Sequence, residues 1–460
     1  MSASFRAVKS NLDEVMLSYH KDSIRQAVLG KIARRLLPFL FILHLIAFLD
    51  RSNLPYAQLQ MDDALSFSYT TYGIGAGVFF VGYFLFGVPS SMFLERVGPK
   101  RGIACLTVTW GIITMGMAFI NSPLSFYAMR FLLGIAEAGF FPGVIRYLMY
   151  WLPAVERARY FSCFIVAIPI AGISGSMIAG FILSRDAIAG IAGWQWIFLG
   201  EGFTAVVLGI IAIFYLTDSP DKTAWLSREE RWWIQEALRA DECKEIISTT
   251  LRDGLLGAKV LTLGMIYSTF IFASTGFVLW SPLMLRGFFH LGDSTTSFIG
   301  SFISVASALA MMANGIHSDR TGERYWHVAL PALVGAIGIL MAAILPKTPM
   351  TFVALLIAAA GMGGLYGPFW AIPAKFLRGN AAASGIALIN ALGNVSAFLG
   401  PLAIGWSRDQ TGEFSFSLIM MAISLFSGAC LMIITRDFYE ARRGDGLGPS
   451  SHKVGRPKVG

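Results

Sequence analysis

The composition of the chain excludes most classes of soluble protein. Of its 460 residues, 55% are hydrophobic and 14% are charged, and the mean hydropathy is +0.63. A soluble or disordered chain carries more charge, whereas apolar stretches of the length seen here can cross a bilayer many times. We therefore predict an all-α, multi-pass membrane protein. Its formal net charge is +8.

Twelve predicted spans follow a polar N-terminal tail. The tail, residues 1–32, is mixed in charge and lacks the pattern of a secretory signal, so we expect it to stay attached. Each span is an apolar stretch of about 20 residues bounded by charges, proline or glycine. The spans lie near residues 36–56, 71–93, 102–120, 124–148, 159–183, 194–216, 259–285, 295–314, 328–345, 350–372, 383–405 and 413–434.

The longest polar stretch of the chain divides these spans into two sets of six. It covers residues 217–257, which we expect to be a cytoplasmic central loop. The loop separates a six-helix bundle at 33–216 from a second one at 258–435, and residues 436–460 form a C-terminal tail.

Helix formers within the central loop predict one further helix, around Leu226–Leu238, with Ser227 as its N-cap. Trp232 and Trp233 lie inside it. We interpret this segment as a solvated linker helix that touches the membrane through its tryptophans, and a partner-binding helix is the alternative.

Two charged couples interrupt otherwise apolar spans. Asp50 and Arg51 lie in the first span, and Arg130 and Glu137 lie in the fourth. Seven residues of α-helix turn through about 700°, so Arg130 and Glu137 face the same side. Each charge at the bilayer centre costs about 2.5 to 3.5 kcal/mol on an insertion scale. A shared polar interior is therefore predicted, and two buried ion pairs that only hold helices together are the alternative.

The residue types in this group favour an anionic substrate. A guanidinium binds a carboxylate through two hydrogen bonds and does not release its proton. A carboxyl group in a low-dielectric cavity can cycle through its neutral form. Arginine is thus expected to attract the substrate, while the acids respond to protons.

The pattern of residue types in the first half recurs in the second half at an offset of about 225 residues. This recurrence indicates duplication of a six-span unit. Small, acidic, arginine and glycine positions recur in register. The first-half set is Ser91, Glu95, Arg96, Gly98, Lys100 and Arg101, and the second-half set is Gly315, Asp319, Arg320, Gly322 and Arg324. In the same register Arg130 falls at Leu356 and Glu137 at Gly363, so the intramembrane charge belongs to the first half.

The distribution of lysine and arginine predicts the orientation. These residues concentrate in the tails, the central loop and alternate connections, while the first of the other connections contains Asp62 and Asp63 without a base. Both termini are therefore expected to be cytoplasmic. The basic face meets anionic membrane lipid, so the net charge requires no nucleic acid as a partner.

The string Gly-x-x-x-Asp-Arg-x-Gly-x-Arg at 315–324 resembles the cytoplasmic loop signature of the major facilitator superfamily, and Ser91 and Glu95 are substitutions in its first-half copy. Four segments look like the anion:cation symporter branch of that superfamily. They are Phe48–Asn53, Pro89–Ser90, Arg130–Tyr147 and Gly193–Gly202. The resemblance runs from about residue 30 to 435.

This resemblance implies twelve transmembrane helices in two pseudo-symmetric six-helix bundles. It also implies uptake of a small organic anion, such as a sugar acid, a dicarboxylate or an aromatic carboxylate, with protons as the coupling ion and no other cofactor. By similarity the proton-coupling residues are Asp50 and Glu137, and the substrate-binding residues are Arg51, Tyr83, Arg130, Trp370 and Asn390. For Tyr83, Trp370 and Asn390, plain helix packing is an equal alternative.

Two charged couples in the connections are candidates for conformational gating. They are Glu95 with Arg96 and Asp319 with Arg320. We interpret them as interlocks between the bundles that stabilise the outward-facing state. Arg146, near the cytoplasmic end of the fourth span, is either part of a gate or an arginine that snorkels to the interface.

Other functional classes find little support. The sequence contains no Gly-x-x-x-x-Gly-Lys-Ser/Thr string, no nucleophile beside a base and no metal-ligand spacing, so neither an ATP-driven pump nor an enzyme is expected. His44 and His317 are interpreted as single residues in packing or loop roles. We predict a monomeric symporter of the inner membrane. The alternatives are an exporter or exchanger of a metabolite or drug, and a non-transporting membrane sensor.

Overall fold

The computed structural model describes residues 23–185, 187, 189–242, 257–345, 348–377 and 379–440. Three parts of the predicted tails and central loop, residues 1–22, 243–256 and 441–460, lie outside the described residues.

Twelve helical crossings account for most of the described chain. They are α1 (Leu37–Leu65), α2 (Tyr69–Val97), α3 (Pro99–Met117), α4 (Pro123–Met149), α5 (Ala154–Ile165 continued by Ala167–Leu183), α6 (Gly193–Tyr215), α7 (Ala258–Phe289), α8 (Asp293–Thr321), α9 (Trp326–Ile344), α10 (Pro349–Lys375), α11 (Gly379–Thr411) and α12 (Ser415–Ile434). Ten of them are long and apolar enough to cross a membrane by length and composition. The other two, α3 and α5, do not meet both of these conditions. The predicted all-α membrane fold is confirmed.

Local sequence sets where these helices begin and end. Ser68 caps α2 by accepting a hydrogen bond from the backbone nitrogen of Thr71 at 3.0 Å. Ser122 and Ser125 form a capping box at the start of α4, where Pro123 is the first helical residue. Such caps satisfy amide groups that have no partner within the helix.

The repeat seen in the sequence is visible in two structural details. Gly98 and Gly322 follow α2 and α8 with φ values of 89° and 70°, a backbone region that favours glycine. The helices α4 and α10 are both interrupted, the first after Glu137 and the second after Gly364. The two halves therefore share these two irregularities as well as their helix order, whereas the break in α5 has no counterpart in α11.

The two halves meet at one end of the molecule, which we call the closed end. The backbone nitrogens of Tyr69 and Thr70 donate to the carboxylate of Asp409 at 3.1 and 2.7 Å. Arg286 of the second half contacts Asp63 at 3.5 Å and donates to the backbone oxygen of Leu59. These contacts fasten the start of α2 and the end of α1 to α11 and α7.

Glycine permits the close approach of α2 and α11 at this end. A Cβ atom on Gly73 would lie 2.5 Å from the backbone oxygen of Pro401, and one on Gly405 would lie 2.2 Å from that of Tyr69. Small residues of this kind let transmembrane backbones touch.

The linker helix (Arg228–Glu242) packs on the first half, and its predicted N-cap is confirmed. Ser227 and Glu230 exchange hydrogen bonds at 3.2 and 2.8 Å, and Lys31 contacts Glu230 at 2.8 Å. Burial alone would raise the pKa of Glu230, but the hydrogen bonds from Lys31 and Ser227 hold it below its usual range. The described part of the central loop is thus attached to one bundle.

Candidate functional site

An ion pair between α1 and α4 forms the centre of the site. Arg51 Nε and Nη2 lie 2.8 and 2.7 Å from Glu137 Oε2. The Glu137 side chain is 1% exposed, whereas that of Arg51 is 28% exposed. The arginine is therefore reachable from the space beside it, and the carboxylate lies behind it.

Three aromatic rings lie beside the guanidinium of Arg51. Its guanidinium lies 5.3 Å from the ring centre of Phe48, 5.0 Å from that of Phe79 and 4.9 Å from that of Tyr83. Cation–π contacts stabilise the arginine without occupying all of its donors. Tyr83, a predicted substrate contact, thus adjoins the ion pair.

Asp50 is buried one residue before Arg51. Thr114 of α3 donates a hydrogen bond from Oγ1 to Asp50 Oδ2 at 2.5 Å. The other oxygen, Oδ1, has no hydrogen-bond partner within the described residues. The side chain therefore lies between α1 and α3 with one acceptor unused.

Arg130 is buried on α4, but in this conformation it does not face open space. It is 3% exposed, and its Nε and Nη2 lie 3.4 Å from the backbone oxygens of Gly75 and Ala76. Its guanidinium lies 4.8 Å from the ring centre of Phe79, which Arg51 also contacts. The structure therefore brings the two arginines to one aromatic ring, and Arg51 is the more accessible of them.

Sequence reasoning missed a third acid in this region. Glu201 of α6 accepts a hydrogen bond from Asn53 Nδ2 of α1. Asn53 is fully buried, three residues after Asp50. The signal was present, because Glu201 is an acidic residue inside a predicted apolar span.

The second half contributes hydroxyl groups to a cavity between the halves. This cavity of about 310 Å³ begins at Ser52, next to Arg51, and reaches α7, α8 and α10. Its polar lining comprises Ser52, Ser274, Ser304, Ser307 and Tyr366. Small hydroxyl residues on apolar helices gave no distinctive sequence signal, so the four serines were not predicted.

Trp370 and Asn390, the predicted second-half contacts, lie elsewhere in that bundle. The Trp370 ring centre lies 5.1 Å from that of Tyr267 and 5.5 Å from that of Phe369. Asn390 is exposed on α11. Neither residue lines the cavity, and their role in substrate binding stays a prediction.

The predicted gating residues make contacts within their own halves. Glu95 pairs with Arg146 of α4, and Asp319 lies 2.7 Å from Arg324. Arg96 and Arg320 are exposed in the last turns of α2 and α8. A contact between the bundles through these couples therefore stays a prediction for another conformation.

His317 is not the isolated residue that the sequence suggested. Its Nδ1 lies 2.6 Å from Nε2 of His327, whose Nδ1 lies 2.7 Å from Glu323. The partner was missed because it lies on the next helix, ten residues away. His44 packs among aromatic rings as expected. Within the described residues, no group of three or more His, Cys, Asp or Glu side chains could hold a metal ion.

Comparisons with known proteins agree with this architecture. The family model described as Major Facilitator Superfamily matches residues 40–401. A protein of Agrobacterium vitis named "Putative tartrate transporter" is 42% identical over 90% of this chain and 92% of its own length. A "Quinolone resistance transporter" of Acinetobacter baumannii is 35% identical over 91% of this chain and 96% of its own length.

A solved structure supports the fold alone. The inward open conformation of the xylose transporter XylE from E. coli superposes with a TM-score of 0.68 at 16% identity, covering 89% of this chain and 96% of that one.

Proposed function

Because the chain belongs to the major facilitator superfamily and is a multi-pass membrane transporter of a small molecule rather than an enzyme, we propose that it takes up a small organic anion by proton-coupled symport. The observation that carries the proposal is the buried pair of Arg51 and Glu137. An ion pair inside a membrane is costly, and residues of this kind usually serve transport.

The first step of the proposed cycle is binding of the substrate carboxylate to Arg51. The guanidinium is partly exposed and retains donors beyond those used by Glu137, because Nε and Nη2 both point to a single oxygen of that residue. A guanidinium matches a carboxylate through two parallel hydrogen bonds. Tyr83 lies beside Arg51. Arg130, which contacts the same Phe79 ring and is buried in this conformation, is the second arginine of the proposed site.

The second step couples the anion to a proton. When the substrate carboxylate occupies Arg51, Glu137 loses its cationic partner in a buried setting, where a carboxyl group favours its neutral form. Glu137 then takes up a proton. Because the linkage is reciprocal, a proton on Glu137 also frees Arg51 for the substrate. Asp50, buried beside Arg51, is the second proton-coupling group of the proposal, and we assign its proton to the return of the empty carrier rather than to substrate binding.

The cavity supports a small, hydroxylated anion as the substrate. Its second-half wall provides Ser274, Ser304, Ser307 and Tyr366, and Ser52 on its other side is the chain neighbour of Arg51. Hydroxyl groups can both donate to and accept from a polyhydroxylated carboxylate. A sugar acid or a hydroxylated dicarboxylate can bind both Arg51 and these hydroxyl groups. An aromatic carboxylate binds chiefly Arg51. The relative named as a tartrate transporter supports the former class.

The proposal includes an orientation. We place both termini in the cytoplasm and the closed end on the periplasmic side of the inner membrane, so that this conformation is open to the cytoplasm. The excess of basic residues in the tails and the central loop supports this placement. We propose a monomer of two six-helix bundles, 33–216 and 258–435, whose basic face contacts anionic lipid.

Uptake into sealed vesicles tests the proposal. Purified protein in vesicles loaded with unlabelled tartrate is expected to exchange it for labelled tartrate without any gradient. With an inward proton gradient and no internal tartrate, the vesicles should concentrate the label. Exchange without any response to the proton gradient would contradict symport. If tartrate is not exchanged, gluconate and benzoate replace it as probes of the other two substrate classes.

Export is the second candidate, and one comparison favours it. A relative 35% identical to this chain is named as a quinolone resistance transporter. The same vesicles distinguish the two functions, because a proton-driven exporter moves its substrate against the direction of proton flow. Tartrate accumulated with the protons supports uptake, whereas a quinolone moved opposite to them supports export.

A further inference from the structure

A partly buried contact between α1 and α6 lies near the ion pair of Arg51 and Glu137. Asn53 Nδ2 donates to Glu201 Oε1 across this interface. Asn53 follows Asp50 by three residues, so the two side chains lie on one face of α1. The contact therefore ties α6 to the segment of α1 that carries Asp50 and Arg51.

The hydrogen bonds of this contact do not balance if Glu201 is ionised. Asn53 Oδ1 and Glu201 Oε2 are both buried, and neither has a hydrogen-bond partner within the described residues. A carboxylate only accepts, and an asparagine amide donates only through Nδ2. An ionised Glu201 would thus leave two buried acceptors without a donor, which destabilises a protein interior.

Among the residues that the structure describes, no cation is paired with Glu201. α6 packs against α3, α1 and α5. Asp50 lies one turn before Asn53 on α1, so the other titratable side chain on this face is also an acid. α3 presents Met115 to the neighbouring Gly202, and α5 presents Gly175, whose Cβ position lies 2.7 Å from Asn53 Oδ1. The nearby cation, Arg51, is already paired with Glu137.

We propose that Glu201 carries a proton in this conformation and forms a two-hydrogen-bond pair with Asn53. Asn53 Nδ2 donates to Oε1, and the acid O–H at Oε2 donates to Asn53 Oδ1. The added proton supplies the donor that the contact lacks and removes the repulsion from Asp50. Glu201 is then a positioning residue, which holds the substrate-binding segment of α1 against α6 only while it is protonated.

The expected effect of Glu201 on transport rests on the proposed symport. The proposal that Glu201 is protonated does not. Infrared difference spectroscopy of the purified full chain at about pH 7, where an ordinary glutamate is ionised, detects the carbonyl stretch of a protonated carboxylic acid and its shift in heavy water. The wild type should show a band that Glu201→Gln lacks and that Glu413→Gln, a change at an exposed residue, retains. Identical carbonyl regions in wild type and Glu201→Gln would overturn the proposal, whatever the outcome of the transport assays.

Variant exchange rates provide the second readout. Glutamine can make both hydrogen bonds of the protonated acid, so Glu201→Gln should exchange substrate within about twofold of wild type. Glu201→Leu leaves the amide without a partner and should lower exchange by about tenfold or more. The double variant Asn53→Leu with Glu201→Leu should recover part of the loss, because both polar partners are removed together. A loss in Glu201→Gln as large as in Glu201→Leu would show that the ionised form is needed and would overturn the proposal.

Discussion

The helices α4 and α10 occupy equivalent places in the two halves and share an interruption, but they differ in chemistry. α4 carries Arg130 and Glu137, and the aligned positions of α10 are Leu356 and Gly363. Gly363 packs so closely on α8 that a Cβ atom there would lie 2.3 Å from Ser307 Oγ. One copy of the repeated helix presents an ion-pairing acid, and the other brings its backbone against a serine of the cavity wall.

This difference separates two tasks that a symporter must combine. The acids and arginines lie in α1 and α4 of the first half, where proton binding can compete with anion binding at Arg51. The second half offers hydroxyl groups that can distinguish substrates without a change in charge. Variants of the first half should therefore alter coupling, and variants of the second half should alter selectivity.

The largest effect is expected from Glu137→Gln, which mimics the protonated acid permanently. Without Glu137 as a competing carboxylate, Arg51 still binds the substrate, so exchange across vesicles persists. Accumulation driven by a proton gradient should disappear, because no proton is taken up with the anion. Paired exchange and accumulation assays measure this, and the exposed Glu413→Gln serves as a control that should leave both intact. Accumulation equal to wild type would favour an ion pair that only holds α1 and α4 together.

Arg51→Lys should weaken transport in both assays. Lysine keeps the charge but cannot present two parallel donors to a carboxylate, so we expect exchange to fall by about tenfold or more. Arg231→Lys is the matched control, since Arg231 lies in the linker helix and donates to backbone oxygens of Ser227 and Asp221. Equal exchange rates in Arg51→Lys and Arg231→Lys would remove Arg51 from the substrate site.

Ser304→Ala and Ser307→Ala should change the ranking of substrates while leaving coupling intact. A lost hydrogen bond costs about 0.5–1.5 kcal/mol, which corresponds to about two- to twelvefold in affinity for a hydroxylated anion. An aromatic carboxylate should be affected less. Competition by tartrate and benzoate in the exchange assay measures the ranking. Ser301→Ala on the same helix is the control, because Ser301 bonds to Phe298 and does not line the cavity. A uniform loss for all anions would contradict the division of tasks.

The smallest effect concerns the linker helix, which is attached to the first half through Lys31 and Glu230. Because the folded-state pKa of Glu230 lies below its usual range, its stabilising contribution is present above the unfolded pKa and is lost as the pH falls through the folded one. Glu230→Gln should lower stability by about 0.2–1 kcal/mol at neutral pH and show no difference from wild type in acid. Thermal unfolding in detergent at both pH values measures this, with Glu229→Gln as the neighbouring control.

The fold could be predicted because its signals are local. Apolar stretches gave the helices, and the register between Gly98 and Gly322 anticipated two loops of matching backbone conformation. The interruption of α4 after Glu137 was not predicted, since residues 124–148 were interpreted as one continuous span.

The members of the candidate site were partly predictable, but their partners were not. Intramembrane charge identified Arg51 and Glu137, yet the contact between them joins positions 86 residues apart. Helical spacing placed Glu137 and Arg130 on one face of a helix. It could not show that Glu137 pairs with Arg51 of another helix. The pair of Asn53 and Glu201 joins residues 148 apart, and the serines of the cavity differ from packing serines only by their position in three dimensions.

Proton uptake on substrate binding tests the central claim most directly. Purified protein in weakly buffered detergent solution near neutral pH is mixed with a saturating substrate, and the pH change is recorded. If the substrate displaces Glu137 from Arg51, the wild type should remove protons from solution and Glu137→Gln, which still binds, should not. Equal proton uptake by the two proteins, or binding by the wild type without any proton uptake, would contradict the account.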